Sequence, residues 1–591
     1  MIARRRLEKL VWLLLLAPAV LACNGKSQTT GPGSVQPKKT ISGQQNSKTS
    51  VDDQSSGRFQ FEDVAEQAGV IFAYRNGSEA QEDAILESLG GGVAVFDFDR
   101  DGWMDLFFPG GGLMEQKQLS SLDHGLFRNL GNFQFANVTQ LAIVNKGQHY
   151  SHGPAVGDYD NDGFPDVVIT GYGGVQFFRN QGDGTFQELT PAGLDETLWS
   201  SSAGWADLNG DQLLDLYICH YVNWSWENNP ICGTSAFRDI CSPRKFTGLP
   251  DAVYFNNGDG TFTDATVASG LDGEGKGLGV VLADIDQDGD VDIYVANDTT
   301  DNFLYMNDGS GKLAESARLT GTALGEGGIA NGSMGVDVCD FNRDLKFDIW
   351  VANFESESFA LYRNEGSSQP DGLNFFNHVS KLTGVTRLGG SFVGFGTAWA
   401  DFDMDGDEDG VVSNGHVINH SGSAPRRQLP LLLLNDNQRI NRVEFPPTVY
   451  FGTDHEGRGL ALGDLDKDGD LDIALSNIND PVAVLRNDIE NDANWLCVEL
   501  IGVESNRFAI GAVLILYTDQ GNQLRQIKGG GSYMSASDPR QFWGIPKDAH
   551  VQRLVVVWPS GQRQEISDIP LNKVLTLVEP AGQTEKSNPT Q

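Results

Sequence analysis

Positive charge, cysteine and long apolar runs are all scarce in this sequence. It has 42 basic against 80 acidic residues and a formal net charge of −38. So acidic a chain repels nucleic-acid phosphate and anionic lipid, which excludes both as partners recognised through charge. The longest apolar run, Leu10 to Ala22, has about 13 residues, too short to cross a bilayer comfortably. Nine histidines are present, but no HExxH occurs, and His149-x-x-His152 alone is a weak metal pattern. No G-x-S-x-G elbow, P-loop or dinucleotide fingerprint stands in a supporting context. Helix-period stretches are few while glycines number 71, the balance of a turn-rich β protein. At 591 residues, two or more domains are expected.

The N-terminus reads as an export signal. Arg4, Arg5, Arg6 and Lys9 precede the apolar run, which ends Val20-Leu21-Ala22-Cys23. This is the lipobox pattern of bacterial lipoproteins, so residues 1–22 are expected to be a signal peptide and Cys23 the acylated first residue. The arginine cluster also bears a faint likeness to a twin-arginine signal, which leaves the export route open. Residues 23–57 are rich in Ser, Gln, Thr, Lys and Gly without apolar periodicity, the composition of a flexible tether. Attachment to a membrane, periplasmic or at the cell surface, is expected through the lipid alone.

From residue 97 one nine-residue pattern recurs seven times, at a mean spacing of about 61 residues, the repeat length of a propeller blade or solenoid turn. Positions 1, 3, 5 and 9 are Asp97, Asp99, Asp101 and Asp105 in the first copy and Asp158, Asp160, Asp162 and Asp166 in the second. The third has Asp207, Asn209, Asp211 and Asp215; the fourth has Asp284, Asp286, Asp288 and Asp292. Asp340, Asn342, Asp344 and Asp348 form the fifth, and Asp401, Asp403, Asp405 and Asp409 the sixth. Asp464, Asp466, Asp468 and Asp472 complete the set. Oxygen ligands at these positions, with a backbone carbonyl at position 7, suit a hard cation, and about seven structural calcium ions are expected. So many carboxylates at close quarters repel one another strongly unless a cation joins them. Glycine at position 6 allows the sharp turn in five copies, but Gln212 and Leu345 replace it in the third and fifth. Those two sites are expected to be weaker or more strained. An EF-hand would need an acidic position 12 between helices; here that position is Phe108, Ile169, Ile218, Val295, Val351, Val412 and Leu475. Each unit therefore reads as strand, calcium loop, strand.

A short apolar strand ending in asparagine follows each loop: Asn129, Asn180, Asn256, Asn307, Asn364, Asn435 and Asn487. Gly-rich turns such as Gly182-Asp183-Gly184 then signal hairpins, giving four strands per repeat, one propeller blade. The seventh repeat lacks its fourth strand, and Phe59–Val64 at the other end of the chain resembles Phe262–Thr266. The expected fold is all-β: a seven-bladed propeller over 58–490 closed by its N-terminal strand, which leaves no free edge. A small β domain over 491–581 and a disordered tail at 582–591 follow.

The Asp-rich blades resemble the FG-GAP/VCBS repeats of integrin α-subunit propellers. Asn506-Arg507, Ile510-Gly511-Ala512, Gly529-Gly530-Gly531-Ser532-Tyr533 and Trp558-Pro559-Ser560-Gly561 resemble the ASPIC/UnbV domain. Together, over roughly residues 58–580, they are similar to bacterial relatives of the cartilage acidic protein family. The resemblance implies a calcium-stabilised extracellular propeller serving adhesion or binding, and it supplies no ligand.

Of the six cysteines, Cys232 and Cys241 lie in the long insertion of the third repeat and suit a disulfide in an oxidising compartment. Cys219, Cys339 and Cys497 sit in apolar runs as buried thiols. The longest insertions fall on the face opposite the calcium loops. At a fixed offset of 13 from each loop start stand Gly110, Gly171, His220, Asn297, Asn353, Asn414 and Asn477. The polar members, His220, Asn297, Asn353, Asn414 and Asn477, are the candidate ligand face, with strand-end capping as their alternative role. The expected function is a lipid-anchored binding or adhesion module for an extracellular protein or glycan, without a catalytic residue. A polysaccharide-acting lyase or hydrolase using the same face is the alternative.

Overall fold

The computed structural model describes residues 58–582, apart from 146, 235, 236, 272, 369–371, 389, 490 and 491. The signal segment, Cys23, the tether and nearly all of the tail lie outside the described residues. The described chain is built of antiparallel sheets with a few one-turn helices.

Seven sheets share one design. In the second, the strands Tyr150–Gly157, Asp166–Tyr172, Gly174–Asn180 and Phe186–Leu189 meander in sequence order. The seventh combines Gly457–Gly463, Asp472–Asn477 and Ala483–Asn487 with Phe61–Asp63 from the start of the described chain. Phe61 stands opposite Asn487 as Phe262 stands opposite Asn256 in the third sheet. The first strands are buried, so their sequences are mostly apolar or small residues, as in Gly277–Ala283, with His152, Asp337 and Arg458 as buried polar exceptions. First strands of successive sheets pack side by side, and Gly457–Gly463 of the seventh also packs against Ala94–Phe96 of the first. The approach is close enough that a Cβ on Gly335 would lie 1.9 Å from the Phe395 carbonyl oxygen.

The C-terminal region has two sheets of its own. Asn494–Ile501 lies between Gln541–Ile545, antiparallel, and Val574–Val578, parallel. Val513–Thr518 pairs with Gly521–Gln526 and Val551–Val557, and Arg563–Ile566 forms the edge beyond. One apolar core unites this region with the third and fourth sheets: Trp205, Leu282 and Val291 pack with Leu496, Ile510, Trp543 and Trp558.

Between the first strands runs the segment 529–538. Gly529 and Gly530 pair with Leu282 and Val281 as an added strand on the fourth sheet. Ser532 exchanges backbone bonds with Val336 of the fifth, while its hydroxyl accepts from Thr397 N of the sixth and donates to Leu460 O of the seventh. Ala536 exchanges backbone bonds with Val93 and Val95 at the first sheet, and Met534 N donates to Ser202 Oγ of the third. Two glycines of this segment are required by contact: a Cβ on Gly529 would lie 2.0 Å from the Trp205 carbonyl oxygen and one on Gly530 2.6 Å from that of Val280, while Gly531 holds a φ of 100°.

Candidate metal centres and the two loop faces

The seven Asp-rich loops link the first and second strands of the seven sheets and share one backbone conformation. Position 6 is left-handed in every loop, with φ of 85°, 94°, 72°, 104°, 64°, 95° and 98° from Gly102 to Gly469. Gln212 and Leu345 are the 72° and 64° members, so both carry the steric penalty of that region, about 1–2 kcal/mol for a residue with a Cβ. Position 4 is left-handed too (Arg100, Asn161, Gly210, Gln287, Arg343, Met404 and Lys467), a requirement that side-chain identity at that position conceals. Replacing the exposed Gln212 by glycine should raise stability by about 0.5–1 kcal/mol in urea titrations, strain relief outweighing the entropy of the unfolded glycine.

In the second loop Asp158 accepts from the backbone N–H of Asp162 and Gly163, and Asp162 accepts from Phe164 N. Asp166 receives the N–H of Tyr159 and of Asn180. The recurring asparagine thus fixes the position-9 carboxylate through its own N–H, in all seven repeats. Its amide does more. Asn180 Nδ2 donates to Phe98 O in the loop of the preceding sheet, and Asn256, Asn307, Asn364, Asn435 and Asn487 repeat the link. Asn129 of the first sheet donates to Leu465 O in the seventh loop.

Five loops gather three carboxylates whose ligand atoms lie within 4.8 Å of one another, in the first, second, fourth, sixth and seventh repeats. The third and fifth have asparagine at position 3 and so hold fewer charges. Several buried carboxylate oxygens receive no hydrogen bond from the protein: Asp99 Oδ1, Asp160 Oδ1, Asp286 Oδ1, Asp348 Oδ2, Asp401 Oδ1, Asp409 Oδ2 and Asp464 Oδ2. Buried carboxylate oxygens lacking donors, in a donor set made wholly of oxygen, fit a hard divalent cation. Arginines cover part of the charge: Arg128 Nε is 2.6 Å from Asp99 and Arg179 Nη2 2.6 Å from Asp160. Arg58 Nη1 lies 3.3 Å from Asp403. Neither the anchoring asparagines nor these arginines emerge as loop partners from spacing alone.

Burial, reinforced by neighbouring carboxylates, pushes Asp284 and Asp466 up to about 7, and burial raises Asp158 to about 7 and Asp97 to about 6. A carboxyl raised in the folded state binds more protons there than in the unfolded chain, so stability falls as pH rises through the folded value. The metal-free protein should therefore melt at a higher temperature at pH 5 than at pH 8. Bound cation reverses the sign, because protons then compete with it. Thermal melts in chelator and in calcium across that range check both slopes.

The C-terminal region sits on the face that carries these loops. Gly544 N donates to Asp401 Oδ2 at 3.0 Å, Arg507 N to Asn161 Oδ1 at 2.9 Å, and Arg540 Nη2 to Asp464 O. On the opposite face the long insertions meet. Asp239 accepts from Asn419 N and His420 N, and Asn419 Nδ2 donates to Asp83. A disulfide joins Cys232 to Cys241 within that third-repeat insertion, while Cys219, Cys339 and Cys497 are buried thiols.

Of the two roles open to the residues at offset 13, ligand contact and strand-end capping, the geometry accords with capping for three of the five. His220, Asn297, Asn353, Asn414 and Asn477 are each at most 2% exposed. Asn297, Asn353 and Asn477 donate to Asp301 O, Ser358 O and Pro481 O, closing the turn after their strand. Asn414 donates to Leu429 O. His220 lies against Pro250 O and 3.2 Å from Glu196. A polar residue at a strand end is satisfied most cheaply by the turn beside it, and Asn297, Asn353 and Asn477 are committed in that way, whereas Asn414 and His220 bond to segments farther along the chain.

With this geometry in place, the class is defined by its repeats. The FG-GAP-like repeat family matches residues 121–169, 158–218, 247–295 and 284–351, and the ASPIC and UnbV family matches residues 502–584. The chain carries FG-GAP-like repeats followed by a C-terminal ASPIC/UnbV domain. Over most of its length it is similar to cartilage acidic protein 1. Identity to the Xenopus tropicalis protein is 24% over 549 residues, covering 86% of this chain and 76% of that protein. Identity to the Homo sapiens protein is 24% over 523 residues, covering 77% and 74%. Among solved structures, an Agrocybe aegerita lectin recognising non-reducing terminal N-acetylglucosamine is 17% identical, covering 60% of this chain and 79% of its own, with a TM-score of 0.36. The exotype rhamnogalacturonan lyase YesX is 11% identical, covering 70% and 90%, with a TM-score of 0.27.

Proposed function

We propose that the chain is an exported, calcium-rigidified binding or adhesion module, held to a membrane by lipid on Cys23. In this reading residues 58–490 form a seven-bladed propeller closed by the N-terminal strand, and the ASPIC/UnbV domain over 491–581 rests on its calcium face. The observation that carries it is the set of buried, donor-less carboxylate oxygens found in every loop but the third. Calcium bound there would fix the loops on which the C-terminal domain is seated, and would stabilise the folded state alone. The same seating leaves the opposite face, with its converging insertions, as the surface for an extracellular protein or glycan. The test is calorimetric counting of calcium followed by protein and glycan arrays run with calcium and with chelator. Uptake of about seven ions and calcium-dependent retention without turnover would support the reading. Absence of calcium uptake would refute it, and cleavage of a retained polysaccharide would favour a lyase or hydrolase.

A further inference from the structure

A cavity of about 320 Å³ opens on the face away from the Asp-rich loops. Residues from 78–87, from the sixth-repeat insertion at 419–427, and from 456 and 478–480 around the seventh sheet form its wall. That volume is at the lower end of the range for small-ligand sites, about 300–1,000 Å³. Ile478 is the one apolar side chain among the described residues of the wall, so an apolar ligand would gain little there. Gln81 and Arg427 are exposed members of the lining, and the cavity is therefore open to solvent.

Four carboxyl groups line it, Asp83, Glu87, Glu456 and Asp480, against the two guanidinium groups of Arg426 and Arg427. Arg426 Nε is 2.9 Å from Glu456, and Arg427 pairs with Asp480. Asp83 accepts from Asn419 and lies 3.8 Å from Arg238. Glu87 stands apart. It is 3% exposed, takes one hydrogen bond, from Ala84 N to Oε1 at 2.9 Å, and makes no ion pair with any described residue. Its Oε2 receives no hydrogen bond and is not among the fully enclosed atoms, so the accessible remnant of Glu87 includes that oxygen, at the cavity wall. A buried carboxylate without a counter-ion is costly, and a cation in the cavity would remove the cost. Burial raises the Glu87 carboxyl to about 7, helped by Asp83 and Glu82 and opposed by the Ala84 N–H and Arg426. From the second sheet, Tyr150 is the titratable group within its field.

The rest of the wall narrows the body attached to that cation. Glu456 Oε1, Asp480 Oδ1 and the Nη2 atoms of Arg426 and Arg427 take no part in the hydrogen bonds of their side chains. Donors and acceptors are thus interleaved, which suits hydroxyl groups, each both donor and acceptor, better than an alkyl chain. An anion would meet an excess of carboxyl groups and is disfavoured.

We infer that this cavity binds a small hydroxylated ammonium compound, of the amino-sugar class, with its ammonium group against Glu87. The inference names a ligand chemistry for the face proposed above as the binding surface and rests on that reading. The two fail separately, since calcium uptake tests the module and an amine titration tests the cavity.

The probe is glucosamine, titrated calorimetrically into the full chain in calcium and about 150 mM salt, which screens exposed charge. It should bind saturably and at least about tenfold more tightly than N-acetylglucosamine, which keeps the hydroxyls without the charge, and than n-butylamine, which keeps the charge without the hydroxyls. Glu87→Gln should weaken it about tenfold or more, the worth of one charge-assisted hydrogen bond. The melting temperature should hold, because the amide oxygen still accepts from Ala84 N. Glu82→Gln removes an equal charge outside the lining and should change affinity less than about twofold. In the unsubstituted chain, bound ammonium favours the ionised carboxylate. Binding at pH 6 should therefore release close to one proton, read from the heats in two buffers, and affinity should fall at least about tenfold from pH 7 to pH 5. Equal binding of N-acetylglucosamine would make this a site for neutral glycans. Equal binding of n-butylamine, or equal loss in both variants, would reduce it to general attraction toward an acidic surface. Either result overturns the assignment, as would affinity untouched by Glu87→Gln or no saturable binding of glucosamine.

Discussion

Removing calcium should lower the melting temperature by about 10 °C. The size follows from mass action. Extracellular calcium modules bind with Kd of about 0.1–1 mM, and at 1 mM calcium a 0.1 mM site stabilises by about 1.4 kcal/mol. Seven such sites would supply on the order of 10 kcal/mol, comparable to the whole net stability of an ordinary domain, about 5–15 kcal/mol. The metal-free state also suffers active repulsion, since Asp284 is raised by burial and then by Asp286 and Asp288. Differential scanning calorimetry of calcium-loaded and chelated protein measures the drop. Superimposable melts would remove calcium from the account of the fold. Circular dichroism during chelation adds a second reading, because the asparagine links run from each sheet to the loop of the one before it. Loss of loop geometry should therefore spread between sheets, giving one cooperative transition across the repeats.

The parts of this architecture legible in the sequence are those encoded locally. The loop pattern repeats within nine residues, and its left-handed position 6 announces itself through glycine in five copies. The seventh sheet's missing strand was legible because Phe59–Val64 copies the fourth-strand pattern, and the register Phe61 to Asn487 is the register Phe262 to Asn256. The asparagine at the end of each third strand was visible as a signature, but its purpose was not. Its backbone bond reaches back 14 to 41 residues to a carboxylate, and its amide reaches another sheet. The residues at offset 13 leave two readings open for the opposite reason. His220 and the asparagines at the same offset are polar and regularly placed, which a ligand ring and a set of turn caps satisfy equally well. Three-dimensional burial distinguishes the two, and it depends on the loops that fold over them. The seat of the C-terminal domain had no local trace at all. Gly544 and Asp401 are 143 residues apart, and no period or motif connects them.

That seating gives the second large effect, expected at Gly529. Substituting valine there should dislodge the segment 529–538 and destabilise the protein by about 4 kcal/mol or more, the range reserved for clashes a core cannot relax. The Cβ would meet the Trp205 carbonyl oxygen at 2.0 Å, and that obstacle is backbone of a strand buried on both faces, so neither side has room to move. Displacement would also break the pairing of Gly529 and Gly530 with Leu282 and Val281 and draw Ser532 from its three sheets. Each buried backbone group left without a partner adds about 1–3 kcal/mol. The effect should show as a lower melting temperature together with new protease cleavage near residues 527–540, inside a segment that is otherwise buried. Gly561→Val is the control: nothing lies within 4 Å of a Cβ built there, so it carries only the strain of its left-handed φ of 80°, whereas Gly529→Val carries only the clash. If both variants lose the same small amount, the segment is a passive filler. A loss confined to Gly529→Val, with calcium affinity reduced alongside, would make the C-terminal domain an integral part of the calcium-bearing structure. Reduced affinity is expected because Arg540, six residues after Met534, donates to the backbone of the seventh loop at Asp464, and Gly544 holds the Asp401 carboxylate of the sixth.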